Sequence, residues 1–253
     1  MKKRILMIIG AVILLAGLIL GGFGISRYLQ EKNAGESYDD LRVEFDVDPL
    51  VDIPQLEGGP IEVPVDFTEL KAKYPDIYAW IQIPGTRIDY PILQHESDNS
   101  YYLNHTYDGR KRLEGSIYTE NYNSTDFSDP NTVIYGHDMK NGSMFKGLHK
   151  YKDKQFFEEN SKIIIYQEGK ILTYKIFAAY TYDNRHLMLS FDFDNKNIFE
   201  TYLNNVLTNQ DKSSNINVTI PVSSEDRIIT LSTCTSNEKQ RYLVQAVLLS
   251  IQE

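Results

Sequence analysis

The sequence predicts a mainly β domain, folded as a closed barrel or a sandwich, behind one N-terminal helix of membrane-spanning length. Three observations carry this. Seven or eight short runs rich in β-branched and aromatic residues are separated by turn signals, with few helical stretches between them. The 253 residues are 42% hydrophobic and include 18 tyrosines, enough for one domain with a full core of β-favouring side chains. Finally, Ile5 to Ser26 contains no charged residue.

That apolar run rises roughly 30 Å as a helix, the thickness of the hydrocarbon core of a bilayer. Lys2, Lys3 and Arg4 precede it and Arg27 follows. The positive cluster at the short end predicts a cytoplasmic N-terminus, with everything after Arg27 outside the cell. The competing reading is a cleaved signal peptide. The run is long for a signal sequence and no small-x-small cleavage site follows it. Residues 1–27 are therefore expected to be a retained, single-pass cell-membrane anchor. Residues 28–60 carry many acids and end in Pro54, Gly58, Gly59 and Pro60, which reads as an extracellular stalk in which Tyr28 to Val43 has room for one helix. Residues 61–253 show no repeat and no second linker, and read as one domain.

Within that domain a short helix is expected near Phe67 to Tyr74, ended by Pro75. Strands follow at Tyr78 to Ile83 and Ile88 to Leu93, around the turn Pro84-Gly85. Thr132 to Tyr135 is a short apolar strand running into Gly136-His137. Lys162 to Tyr166 and Ile171 to Tyr180 flank a hairpin turn at Gln167-Glu168-Gly169. Asn217 to Ile220, Arg227 to Thr233 and Tyr242 to Ile251 complete the strands. Helices fit at Ser143 to Tyr151, Lys154 to Asn160 and Asn195 to Leu207. In the last, Ile198, Phe199, Tyr202, Val206 and Leu207 fall on one face.

The formal net charge is −9 and no basic stripe is present, which excludes nucleic-acid binding through clustered Lys and Arg. Metal motifs fail. His95-Glu96 lacks the second histidine of a zinc-protease helix, and Asp192, Asp194 and Asn195 are followed by Lys196 where a calcium loop needs a ligand. No metal and no cofactor are expected. Asn104-His105-Thr106 and similar tripeptides match the glycosylation pattern, but that pattern is too short to carry weight in an Asn-rich chain.

Cys234 is the only cysteine. A lone free cysteine is ordinarily a small buried hydrophobe. Cys234, however, ends the apolar run Arg227 to Thr233 and opens a polar loop of about six residues before the next apolar strand. That is not a core position. If the two strands pair, Cys234 and Arg241 face each other across the loop mouth at the roughly 5 Å spacing of paired strands. A guanidinium there has the geometry to hold a carbonyl oxygen as it gains charge. A thiol also needs a base. Of the five histidines, His95, His105, His149 and His186 look ordinary, whereas His137 follows a strand end through Gly136.

Thr230-Leu231-Ser232-Thr233-Cys234, with Arg241 downstream, resembles the signature of the sortase family. Tyr135-Gly136-His137-Asp138-Met139-Lys140-Asn141-Gly142-Ser143-Met144-Phe145 resembles the histidine segment of class B sortases, and Trp80 to Thr86 with Ile88-Asp89-Tyr90-Pro91 resembles their opening strands. The likeness spans roughly residues 64–251, with the segments in family order. It implies an eight-stranded barrel with added helices, and a helix at Asn195 to Leu207 in the connection before the cysteine strand. It implies Cys234 as nucleophile, His137 as acid/base and Arg241 as oxyanion partner, with Thr233 and its neighbour Ser232 at the substrate or oxyanion site. The implied activity is cleavage of a C-terminal sorting signal through a Cys thioester, with transfer of the exported protein to an amine of a peptidoglycan precursor. The alternatives are a cysteine endopeptidase that transfers to water, and a pilin-polymerising sortase. Against the latter, Asp48-Pro49-Leu50 lacks the usual aromatic of the pilus-class lid and no second membrane segment closes the chain. Asp138 adjoins His137 but points away from it in an extended segment, so no third triad member is expected.

Overall fold

A computed structural model describes residues 2–47, 63–209 and 211–253. The end of the expected stalk, with Pro54, Gly58, Gly59 and Pro60, and the Asp48-Pro49-Leu50 segment lie outside the described residues.

Eight strands close on themselves. In chain order they are β1 (Ile77–Gln82), β2 (Asp89–Gln94), β3 (Ile117–Thr119), β4 (Asn131–Tyr135), β5 (Lys162–Gln167), β6 (Lys170–Asp183), then β8 (Ile228–Cys234) and β9 (Gln240–Gln252), with the two-residue β7 (Asn215–Ile216) between them in sequence. The order around the barrel is β5-β1-β2-β3-β4-β8-β9-β6, and β6 pairs back onto β5. β7 only adds to β6. The pairings are antiparallel except β2 with β3 and β4 with β8, which are parallel. This is the closed eight-stranded barrel with added helices that the sequence led us to expect.

The alternation of side chains along each strand builds two cores. Tyr242, Val244 and Ala246 of β9, with Ile229 and Leu231 of β8, enter the barrel interior beside Trp80 and Tyr174. Leu243, Val247 and Ile228 face outward under α6 (Lys196–Leu207), which covers them with Phe199, Tyr202, Leu203 and Val206. β8 is thus buried almost to its end, and its buried Thr230 hydroxyl is bonded to Asn131 and Gln245. On α6, Ile198 is 39% exposed and Leu203 takes its place in the buried face. Asn195 caps this helix by accepting from the backbone N–H of Asn197 and Ile198.

Three expectations change. β3 was not foreseen; it is only three residues long and follows a polar, glycine-containing coil. Asn217 to Ile220 is no strand, because the Asn217 side chain accepts from the Thr219 N–H and hydroxyl and closes a turn. Ser143 to Tyr151 forms a 3₁₀ helix at Phe145–Lys152 rather than an α-helix.

The N-terminal helices contrast sharply. α1 (Lys2–Lys32) is long and apolar enough to cross a bilayer, and its described apolar side chains Val12, Leu15, Leu18 and Phe23 are more than 60% exposed. α2 (Glu36–Glu44) follows after three intervening residues and is packed on the barrel, with Tyr38 and Leu41 fully buried. The Tyr38 hydroxyl donates to the Gly115 carbonyl at 2.6 Å and lies 2.9 Å from the Ser116 hydroxyl. The segment read as stalk therefore contains a helix that belongs to the packed body. α3 (Phe67–Lys73), capped by Asp66, leads into β1, and α4 (Lys154–Glu159), the short α5 (Leu187–Ser190) and a 3₁₀ turn at Tyr101–Leu103 complete the helices among the described residues.

Candidate active site

The parallel pairing of β4 with β8 brings the histidine and the cysteine to one rim. In register, Tyr135 lies beside Ser232, and the Gly136 N–H continues the ladder to the Ser232 carbonyl at 3.1 Å. The next residues along the two strands are His137 on one side and Thr233 and Cys234 on the other. The antiparallel hairpin of β8 with β9 then sets Cys234 opposite Arg241, the pairing expected from the loop length. His137, Ser232, Thr233, Cys234 and Arg241 all line one open cleft of about 230 Å³.

Gly136 is required for close approach, not for a turn. A Cβ there would sit 2.5 Å from Ile117 Cδ1 and 2.7 Å from the Phe145 ring. Only hydrogen fits between the barrel wall and the loop that follows.

His137 is half-buried and its Nε2 lies 2.6 Å from the Leu103 carbonyl. A carbonyl can only accept, so Nε2 carries the proton, and Nδ1 is the nitrogen left to exchange one. Asp138 does point away from His137. Its carboxylate pairs with Lys146 Nζ at 2.9 Å and His149 Nε2 at 3.1 Å. Burial pushes the Asp138 carboxyl up, but the hydrogen bonds from His149 and Lys146 outweigh it and hold it below its ordinary value.

Cys234 is a free, half-buried thiol at the end of β8. Thr233 is 2% exposed, and its Oγ1 has no hydrogen-bond partner among the described residues. Ser232 is 6% exposed. The Arg241 guanidinium donates from Nη1 to the carbonyls of Glu238 and Gln240, both in its own hairpin loop.

Several cleft residues had no sequence signal. Leu103 acts through its main chain, which no side-chain motif reveals. Glu120, at the end of β3, pairs with His186 Nε2 at 2.7 Å and ties the barrel to the β6–α6 connection that forms the opposite wall. Tyr118 and Tyr135 line the same cleft, and burial, reinforced by the Glu120 charge, pushes both phenols well above their ordinary value. They stay neutral at any physiological pH. Among the described residues no group of His, Cys, Asp and Glu side chains is arranged to hold a metal.

A thiol, an imidazole and a guanidinium line one cleft, a set of groups that suits acyl transfer. Comparison with known proteins agrees. Residues 81–249 match the Sortase domain family. The chain is 35% identical over 245 residues to sortase B of Listeria monocytogenes, covering 94% of this chain and 95% of that protein. It is 28% identical to sortase B of Staphylococcus aureus, with 98% of each covered. The crystal structure of S. aureus sortase B superposes with a TM-score of 0.70 at 27% identity, over 85% of this chain and 98% of the other. That of Clostridium perfringens sortase B gives 0.65 at 34% identity, over 73% of this chain and all of the other. With its fold, its cleft and these relatives in agreement, the chain belongs to the sortase family, as a class B sortase and hence a cysteine transpeptidase.

Proposed function

We propose that the enzyme joins exported proteins to a cell-wall amine, with Cys234 as nucleophile, His137 as acid/base and Arg241 as the oxyanion donor. The observation that carries this reading is the shared rim: parallel β4 and β8 end together, and β9 returns Arg241 opposite Cys234. The Cys234 thiolate attacks the carbonyl carbon of a peptide bond in a C-terminal sorting signal. As the tetrahedral adduct collapses, the leaving amine takes a proton from His137 and a thioester forms on Cys234. An amine of a peptidoglycan precursor then attacks the thioester carbon, its proton passes to His137, and the thiolate leaves as the new amide forms. Arg241 and nearby backbone N–H groups steady the oxyanion in both steps, and Ser232 and Thr233 line the cleft beside it. An amine acceptor is supported by a solved sortase B complexed with triglycine.

α1 is the membrane anchor in this reading, spanning the bilayer once with Lys2, Lys3 and Arg4 in the cytoplasm and the barrel outside. Substrates emerging from the membrane then meet the cleft near their point of exit. The domain divisions follow: residues 1–27 anchor, 28–60 connect, and 61–253 hold the catalytic barrel, with α2 packed onto it.

The test incubates the full chain in detergent with a library of sorting-signal peptides, with and without triglycine. Mass spectrometry is expected to find an acyl adduct on Cys234 and a triglycine-extended product. Cys234→Ala is expected to give neither while keeping its circular dichroism spectrum. Hydrolysis as the only outcome with the amine present would make the enzyme an endopeptidase, and turnover by Cys234→Ala would remove the nucleophile.

A further inference from the structure

His149 looked ordinary in the sequence, yet its ring reaches the nucleophile's main chain. It lies in the 3₁₀ helix Phe145–Lys152, outside the residues that line the cleft. Its Nε2 is 3.1 Å from the Cys234 carbonyl oxygen and 3.1 Å from Asp138 Oδ2. Both oxygens only accept, so Nε2 carries a proton shared between them. Lys146 holds the other Asp138 oxygen at 2.9 Å. The His149 ring packs on Tyr242, with centroids 5.2 Å apart and planes tilted by 33°. The side chains of His149 and Asp138 are 15% and 16% exposed. The imidazole is therefore fixed on three sides, by a carboxylate, a ring and a backbone carbonyl.

The Cys234 carbonyl belongs to the Cys234–Thr235 peptide. A trans peptide is planar, and its N–H points opposite to its C=O. Holding the carbonyl fixes the plane, and with it the direction of the Thr235 N–H on the edge away from His149. No hydrogen bond from that N–H is recorded among the described residues, whereas the rest of the loop is closed by Thr235 Oγ1 and Asn237.

We propose that His149, oriented by Asp138, is a positioning residue that pins the Cys234–Thr235 peptide so that its N–H is presented to the oxyanion formed on the Cys234 acyl adduct. The proposal rests on Cys234 as the nucleophile. His149 touches no substrate and moves no proton in the reaction. It connects the loop after β4 to the loop after β8 by one donor, and it sets the orientation of a dipole that the reaction uses.

The test uses two small reagents on the full chain in detergent. Acylation by p-nitrophenyl acetate passes through an oxyanion, whereas alkylation by iodoacetamide does not; both consume the Cys234 thiolate. His149→Met and His149→Gln have similar size, but only Gln retains a donor. His149→Met is expected to slow acylation about tenfold, part of the roughly 10² to 10³ that loss of a whole oxyanion donor costs, and to leave alkylation within about twofold. His149→Gln is expected to recover most of the acylation rate. Asp138→Asn, which keeps His149 but removes its charged partner, is expected to show the same selective slowing by a smaller factor, and it serves if the Met variant fails to fold. Unchanged acylation in His149→Met, equal slowing of both reagents, or no advantage of Gln over Met would overturn the proposal. Cys234→Ala reacting as fast as wild type with either reagent would instead overturn the nucleophile assignment beneath it.

Discussion

The two loops at the rim that carry or adjoin the proposed catalytic groups are held in opposite ways. The histidine loop, residues 136–145, is wired into its surroundings. His137 is bonded to the Leu103 carbonyl, Phe145 N–H returns to the His137 carbonyl at 2.9 Å, and Met144 N–H meets the Tyr90 hydroxyl at 3.0 Å. Met139, Ser143, Met144 and Phe145 are buried. The loop between Cys234 and Arg241 is exposed from Ser236 to Lys239 and bonds mainly to itself. The contrast assigns the tasks. In the proposed mechanism the acid/base is in place before substrate arrives, whereas the Arg241 guanidinium bonds only to carbonyls of its own hairpin, although its main chain in β9 is paired with Cys234 on one side and Tyr182 on the other. The Cys234 carbonyl is held from outside the hairpin by His149.

The largest expected effect tests the fixed side. His137→Ala should lower kcat/KM by about 10² to 10⁴, the range for a positioned acid/base, measured on one cleavable sorting-signal peptide. A surface histidine would give almost no change, and the contrast would break there.

Arg241 tests the other side. Arg241→Lys should be nearly as damaging as Arg241→Ala, each losing about 10² to 10³ in kcat/KM on the same peptide. Arg offers a planar fork of donors, whereas Lys offers one hydrated point charge. Full activity in the Lys variant would show that charge alone suffices, so that the shape of the guanidinium is irrelevant.

Gly136→Ala sharpens the comparison through stability. The added methyl has no room against Ile117 and Phe145, and overpacking of this kind costs about 1–3 kcal/mol. Urea denaturation should show the loss. The equivalent small-to-larger change on the other loop, Ser236→Thr at an exposed position, should cost nothing measurable.

The smallest effect comes from farther away. Tyr38→Phe leaves the buried Gly115 carbonyl without its donor, while the Ser116 hydroxyl keeps the His105 carbonyl, at a cost of about 1–2 kcal/mol. Thermal melting should register it. If melting is unchanged, α2 is not part of the cooperative unit that supports the histidine side.

The sequence revealed those parts of the site that lie on strand ends. An apolar run that stops at Gly-His or at Cys reads directly as a rim position, and the six residues between Cys234 and Arg241 predict their pairing. What escaped was of two kinds. Contacts through main-chain atoms, such as the Leu103 carbonyl on His137 or the Cys234 carbonyl on His149, join residues 34 and 85 positions apart and leave no mark on side-chain pattern. Segments of mixed character also mislead. In α2, Tyr38 and Leu41 recur at helical spacing, but Glu36, Asp39, Asp40 and Glu44 around them give the stretch the look of a solvated linker. β3 is shorter than any periodicity can register.

The junction between α1 and α2 bears on how far the enzyme can reach. Lys140 pairs with Glu31 at 3.2 Å, and the Asn141 amide donates to the carbonyls of Lys32 and Ala34 at 3.2 and 2.7 Å. These are residues of the histidine loop gripping the last turn of α1 and the start of the turn that follows it. With α1 in the bilayer as proposed, the barrel is not a float on a leash that sweeps a hemisphere above the surface. It stands like a lamp on a short, braced post, with the mouth of its cleft at one altitude. A passenger protein would then be cut only where its signal passes that altitude, so the spacing between a passenger's cleavage point and its own membrane segment becomes a criterion of selection alongside the residues at the cut.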